Sequence, residues 1–272
     1  MSEASTNFAS DFLILAFDAP LVSFGGETID QIGVVRDHPA RSMLAGLVGN
    51  ALGYDRSEAD RLDALQARLV HASALVRPGR RMVDYQTAHL GKDYGWTTRG
   101  GREGRGGSIP SDGLTHQRYR SVDADARVLV ALGLSNGTGP SLDAVGDALI
   151  RPERPLFIGR KPNLPSRQLL AGRRSTETAI HALVHALNDV PRGAAPEVGP
   201  IDLQWDATSG PSGSTGERLL VAGRSLLVVR ETTVADERRP SGVHGGRRAV
   251  LRGTLLRVDG GEAPRSAVGA HP

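Results

Sequence analysis

The sequence predicts an α+β fold: a ferredoxin-like βαββαβ domain, also the RRM arrangement, with a long insertion and a smaller C-terminal β-rich region. Three observations carry that prediction. Two continuously apolar runs, at 12–17 (Phe-Leu-Ile-Leu-Ala-Phe) and 127–132 (Arg-Val-Leu-Val-Ala-Leu), have the pattern of central strands buried on both faces. A helical stretch with one apolar face follows each of them. Between the two halves, residues 84–120 hold a glycine- and arginine-rich segment too long and too polar to be an ordinary connection.

Taken in order, residues 1–10 read as a disordered tail, and the strand at 12–17 ends at Asp18, Ala19 and Pro20. A loop containing Gly25 and Gly26 leads to a helix within 36–54. There Pro39 suits a first helical position, Asp37 or His38 is available as a cap, and Gly53 is placed as the stop. Met43, Leu44, Leu47, Val48, Ala51 and Leu52 form its apolar face. Gly46 and Gly49 each cost about 1 kcal/mol relative to Ala in a helix interior, so a close approach to a neighbouring element is expected to compensate. Arg36 and Arg41 flank the start of this helix, where free N–H groups and the dipole favour anions. The same residues also fit a plain amphipathic helix with two solvated arginines.

A second helix is expected over 56–69 from Leu62, Leu65 and Leu69, then a strand over 70–77 closed by Pro78 and Gly79. Segments 84–90 and 115–122 are placed to pair as a hairpin whose tip is the Gly/Arg stretch. After the strand at 127–132, Ser141 caps a helix to 150, and residues 155–159 complete the unit as its fourth strand. Residues 160–167 form a basic, proline-interrupted loop, 175–187 a helix, and 191–216 a Pro/Gly/Ser-rich linker. A strand pair around Gly223 covers 219–229, a basic loop 237–248, and a last apolar stretch 249–258. The expected division is a domain over 11–160, including the insertion at 84–120, and a C-terminal region over 161–258, with disordered tails at 1–10 and 259–272.

Composition narrows the chemistry. Only 39% of the 272 residues are hydrophobic and 4% aromatic, while 34 Gly and 16 Pro predict a modest core with long loops. The formal charge is +3, and all basic residues except Lys92 and Lys161 are arginine, the side chain suited to bidentate phosphate contact. Without cysteine there is neither a disulfide framework nor a thiolate metal site. No apolar run approaches the ~18 residues of a membrane span, and the N-terminus has no basic leader, so a cytoplasmic, soluble protein is expected.

Glu177, His181 and His185 have i, i+4, i+8 spacing, but the pattern lacks a zincin glutamate and reads as a solvated face; no metal or cofactor is expected. Gly101, Gly104, Gly106 and Gly107 imitate a phosphate loop without the Gly-Lys-Ser/Thr that would complete it. Tyr85, His89, Lys92 and His116 are types that serve either metal-independent RNA cleavage or simple RNA contact. Arginines cluster at 99–120, at 160–174 and at 238–248, which points to a basic surface for a phosphate backbone. A protein-interaction module whose basic loops hold acidic partners is the remaining alternative.

These features occur in an order that resembles the CasD-type subunits (Cas-five family, RAMP superfamily) of type I-E CRISPR Cascade complexes. The resemblance is carried by residues 12–20, Ser23 to Gly25, and the Pro-x-Arg-Ser-x-Leu-x-Gly-Leu core of 39–47. It continues in 84–88 (Asp-Tyr-Gln-Thr-Ala), the Gly/Arg insertion, and 151–161 ending Gly159-Arg160-Lys161. It implies a RAMP fold with a projecting thumb at 84–120 and a non-enzymatic subunit holding the 5′ handle of the CRISPR RNA. The partners it implies are a backbone subunit reached by the thumb, the large subunit, and target DNA indirectly, with no membrane. Arg36, Arg41, Ser42, Gly159, Arg160 and Lys161 carry over as handle-binding residues. Ser23, Lys92, Arg102, Arg105, His116, Arg118, Arg173 and Arg174 complete the candidate RNA-binding set.

Overall fold

The computed structural model describes residues 11–29, 32–90, 94–96, 102–104, 115–189, 200–238 and 244–256. The tails at 1–10 and beyond 256, Lys92, Arg105 and most of the insertion's Gly/Arg tip lie outside the described residues.

The first apolar run is strand β1 (Asp11–Asp18). Its alternate residues feed two cores: Leu13, Leu15 and Phe17 on one face, Phe12, Ile14 and Ala16 on the other. That is why the run shows no alternation of polar and apolar residues. Short strands β2 (Leu21–Val22), β3 (Phe24–Ile29) and β4 (Ile32–Arg36) follow, then helices α1 (Arg41–Ala51) and α2 (Ala59–Arg68). Next come β5 (Leu69–Arg77), β6 (Arg80–His89), the small pair β7 (Tyr94–Trp96) and β8 (Arg102–Gly104), β9 (Thr115–Ala124) and β10 (Arg127–Leu134). Helix α3 (Leu142–Ile150), β11 (Leu170–Ser175), α4 (Ala179–Asn188), β12 (Ile201–Asp206), β13 (Arg218–Val221), β14 (Arg224–Arg238) and β15 (His244–Leu255) complete the chain.

The main sheet has eight strands in the order β11-β1-β10-β5-β12-β15-β14-β13, each neighbour antiparallel. Leu44, Leu47 and Val48 of α1, Leu65 of α2, and Val145 and Leu149 of α3 cover one face. Ile180, Leu183 and Leu187 of α4 cover the other, with Trp205. The fold is therefore mixed α+β and dominated by sheet.

Three expectations change. Residues 155–159 form no strand; the strand pairing with β1 is β11, whose residues alternate half-buried and exposed. An edge strand with two outward arginines does not read as apolar, which hid it. The stretch at 191–216 is no mere linker, because β12 lies within it and buries Leu203 and Trp205 in the sheet. The basic loop expected at 237–248 is largely strand, with β14 reaching Arg238 and β15 beginning at His244. The sheet thus runs on through 201–255 without a break between regions.

A second sheet stands beside the first. β9 pairs with β2 and, in parallel, with β4 on one edge, and β3 extends this from β4; β6 pairs with the other edge of β9. The β6–β9 register runs from Arg80↔Ala124 to His89↔Thr115, so the expected hairpin forms. Gly79 turns the chain from β5 into this ribbon at φ +71°, and a Cβ there would fall 2.5 Å from the Ala124 carbonyl oxygen.

Candidate nucleic-acid interface

A half-open groove of about 680 Å³ runs along the outer side of α1. Gly25 and Gly26 of β3, Arg36, Ser42, Met43, Gly46, Leu47 and Asn50, Phe157 and Gly159, and Ala235 and Asp236 line it. The two helix glycines have separate causes. A Cβ on Gly49 would lie 2.5 Å from Leu62 Cδ2, which is the close approach expected between α1 and a neighbour, here α2. A Cβ on Gly46 would meet nothing within 4 Å, since it faces the groove. Arg36 donates from Nη2 to the Ala235 carbonyl (3.0 Å) and separates this groove from a second, of about 450 Å³, that contains Val34 and the exposed Arg247.

The start of α1 departs from expectation. The helix begins at Arg41 with Ala40 as its N-cap, so Pro39 lies outside it and neither Asp37 nor His38 caps it. The carboxylate of Asp236 takes that place, accepting the Arg41 backbone N–H at 3.2 Å. The Arg41 guanidinium pairs with Asp206 and, at 2.7 Å, with Glu237, leaving its side chain 14% exposed. Buried Arg248 holds Asp236 by two hydrogen bonds (3.0 and 2.8 Å), lies 3.5 Å from Asp206, and donates to His71 Nε2 at 3.2 Å. Burial, then the charges of Arg248, Arg41 and His38, drive the His71 imidazole well below its ordinary pKa. It is therefore neutral and can accept from Arg248. Burial would raise the Asp206 carboxyl, but Thr208 hydrogen bonds and the two arginines bring it below the ordinary value. The helix end is thus a closed ionic network joining α1 to β12, β14 and β15, not an open anion site.

His38 belongs to the same interior, with Nδ1 2.8 Å from Ser73 Oγ and Nε2 3.2 Å from Asp202 Oδ2. Ser73 is wholly buried, so this Ser-His-Asp chain has no access to a substrate. Sequence reading missed Asp206, Asp236, Arg248, His38 and His71 as one cluster.

The loop after α3 behaves differently. Gly159 adopts φ +84°, and a Cβ there would fall 1.7 Å from the Ser23 carbonyl oxygen, so glycine alone fits. Ser23 is buried, and its Oγ accepts from Asn163 Nδ2 at 3.2 Å, which fastens the loop to the β2–β3 corner. Arg160, next in sequence, lies half-buried with Nη2 against Gly33 of β4 and beside Arg120 of β9. Among the described residues its guanidinium makes no hydrogen bond or ion pair, while its backbone carbonyl accepts from Asn163 N–H at 2.9 Å. Burial and the Arg120 charge lower its pKa, with Asp84 acting in the opposite sense. Lys161 is exposed.

Other candidates lie elsewhere. Arg173 pairs with Asp11 (2.8 Å) and Asp143 (2.5 Å), and Arg174 with Asp189 (2.5 Å). Asp11 opens β1, whereas the 160–167 loop contacts Asp18 at its other end through Ser166 N–H, a separation of roughly 23 Å along the strand. These two arginines do not join the groove. Arg118, half-buried, and Arg120 project from β9; His116 and Arg102 are described only by their places in β9 and β8. Tyr85 and His89 share one face of the ribbon, while His116, opposite Ala88, occupies a position on the other. Glu177 precedes α4, and His181 bonds the capping Thr178, so no ligand stripe forms.

Residues 12–220 match the family model for CRISPR-associated proteins of the Cas5 type. Over 152 residues the chain is 28% identical to the CRISPR system Cascade subunit CasD of Escherichia coli K12, covering 55% of this chain and 65% of that protein. The match therefore spans just under two thirds of the relative's length. In fold the chain is similar to one from a CRISPR RNA-guided surveillance complex (TM-score 0.59, 23% identity, 90% of each chain). It is also similar to a structure described as a Cas protein (TM-score 0.51, 21% identity, 90% of this chain and 94% of the other).

Proposed function

Because the chain belongs to the CRISPR-associated Cas5 family, we propose that it is a non-catalytic, CRISPR RNA-binding subunit of a type I-E Cascade complex that caps the 5′ handle. In this reading β1, α1–α2, β5, β10, α3 and β11 are a ferredoxin-like RAMP unit, since the four strands lie in the order fourth, first, third, second. The β6–β9 ribbon is the base of the thumb and reaches an adjacent backbone subunit; the large subunit docks nearby, and target DNA is met indirectly.

The observation that carries the reading is the half-buried Arg160 beside Arg120, with no carboxylate paired to it among the described residues, directly after Gly159 of the glycine-lined groove. A guanidinium held this way has lost water without gaining an anion, and an RNA phosphate supplies one. Arg36, Lys161 and Arg247 extend the positive rim, while Gly25, Gly26 and Gly46 let a hooked single strand approach the backbone. Arg41 serves the interior and is not part of this surface. In the described residues no helix is long and apolar enough to cross a membrane.

The test is equilibrium binding of handle RNA against salt in EDTA. Arg160→Ala is expected to weaken binding about tenfold and flatten the salt slope by about one, with unchanged melting and intact RNA throughout. An unchanged slope removes Arg160 from the interface, and a discrete cleavage product overturns the non-catalytic assignment.

A further inference from the structure

A second feature faces the same way as the groove. Tyr85 of β6 and Tyr119 of β9 are directly cross-strand, with ring centroids 5.1 Å apart and planes inclined at 38°. Both rings are exposed, at 52% and 41%. The parallel β4–β9 register sets Ile32 opposite Tyr119, so the period of two puts Val34 and Arg36 on the tyrosine face. Gly33 and Val35 take the other face, where Gly33 meets Arg160 and Arg120 and Val35 is buried. The groove, Arg36, Val34 and the tyrosines therefore share one outward surface. From the position of Tyr119 to that of Arg36 is four residues, roughly 13 Å along β4.

A pair of exposed aromatics at the edge of this sheet needs a reason, since each loses apolar burial that packing would supply. Across the tyrosine face, Val83, Thr87, Ser121 and Gln117 surround the rings and contribute no charge. The ribbon as a whole carries Arg80, Arg81, Arg118 and Arg120 against Asp84 and Asp123; Arg81 and Asp123 pair with each other on the tyrosine face, and the other three arginines and Asp84 hold positions on the opposite face. A π-surface without charge, on a ribbon with excess guanidinium, complements an unstacked base on an anionic backbone better than an acidic or apolar protein face. We propose that Tyr85 and Tyr119 form a stacking platform for one or two bases of a single-stranded RNA segment leaving the groove past Arg36. This rests on the RNA-binding reading and adds a second contact of different chemistry. Because every base has a π-face, the platform is tolerant of sequence, and any base selectivity resides in the groove.

The experiment uses the full chain with a fluorescein-labelled single-stranded oligo(A) RNA and the same strand carrying abasic sites. Tyr85→Ala and Tyr119→Ala are expected to weaken oligo(A) binding roughly fivefold to a hundredfold. Tyr85→Phe is expected to retain it, and the salt slope is expected to stay at the wild-type value because no phosphate contact is lost. The alanine effect disappears on the abasic strand. If oligo(A) binds the alanine variants as tightly as wild type, the platform is refuted while the RNA reading stands. Equal losses on intact and abasic strands also refute it, assigning the residues to the ribbon's fold or a protein contact. Failure of wild type to bind either strand overturns both readings.

Discussion

Arg41 and Arg160 occupy opposite states of the same side chain. Both looked like anion receptors, one at a helix start and one in a glycine-bearing loop. Arg41 is enclosed by Asp206, Glu237 and, at its backbone N–H, Asp236, carboxylates that lie 165 to 196 positions away in sequence. Arg160 is half-buried, yet the topology brings it Arg120 instead of a carboxylate partner. The difference teaches that an arginine's role here is decided by which acidic strands the sheet order sets beside it. Strands β12, β14 and β15 satisfy the interior; the β4–β9 side sets Arg160 beside Arg120, the place proposed for an RNA phosphate.

The sharpest way to break the comparison is to remove the interior's central cation. Arg248→Ala leaves Asp236 and Asp206 buried with one partner fewer, and loss of one member of such a network costs about 3–5 kcal/mol. Chemical denaturation is expected to show that loss, whereas Arg160→Ala leaves the midpoint in place. If Arg248→Ala proves as stable as wild type, the network is not what fastens α1 to the C-terminal strands.

A smaller effect comes from pH. His71 is depressed below its ordinary value in the folded chain, so the unfolded chain binds the extra proton first as pH falls. The stabilisation is fully present above the unfolded value of about 6.5 and declines below it, by up to about 1.4 kcal/mol per pH unit. His71→Gln, whose carbonyl can still accept from Arg248, is expected to flatten stability between about pH 5 and 6.5. Retention of the wild-type slope in that variant would assign the pH dependence to other groups.

How much of this was legible follows from the same physics. β1, β10, α1 and α3 declare themselves because burial on a whole face leaves an apolar pattern. The ribbon was readable from its flanks, and Gly49 from its cost within a helix. β11 and β12 were hidden because one is a half-exposed edge and the other lies among turn-forming residues. The candidate interface is half visible in the sequence: Arg36, Ser42 and Gly159 of the groove and the neighbouring Arg160 stand out, but Arg41 does not belong with them. Local pattern treats Asp206, Asp236 and Arg248 as surface charges, and only the pairing of β12, β14 and β15 turns them inward. The platform's Tyr119 carried no signal of its own, since its meaning depends on register with Tyr85 and β4.

The finest distinction lies between two glycines one turn apart. Gly46→Ala adds a methyl where the groove is open and removes a helix-interior glycine, so stability should rise by up to about 1 kcal/mol. If a hooked strand lies against α1, the same methyl intrudes on it, and handle RNA affinity is expected to fall as the melting temperature rises. Gly49→Ala supplies the contrast, because its methyl would overlap Leu62 Cδ2 and the side chain must turn away, cancelling the propensity gain without touching the groove. Thermal melts paired with RNA titrations of both variants separate these effects. A Gly46→Ala protein that melts higher and binds handle RNA as tightly as wild type would move the RNA off α1 and leave the β4–β9 side as its whole seat.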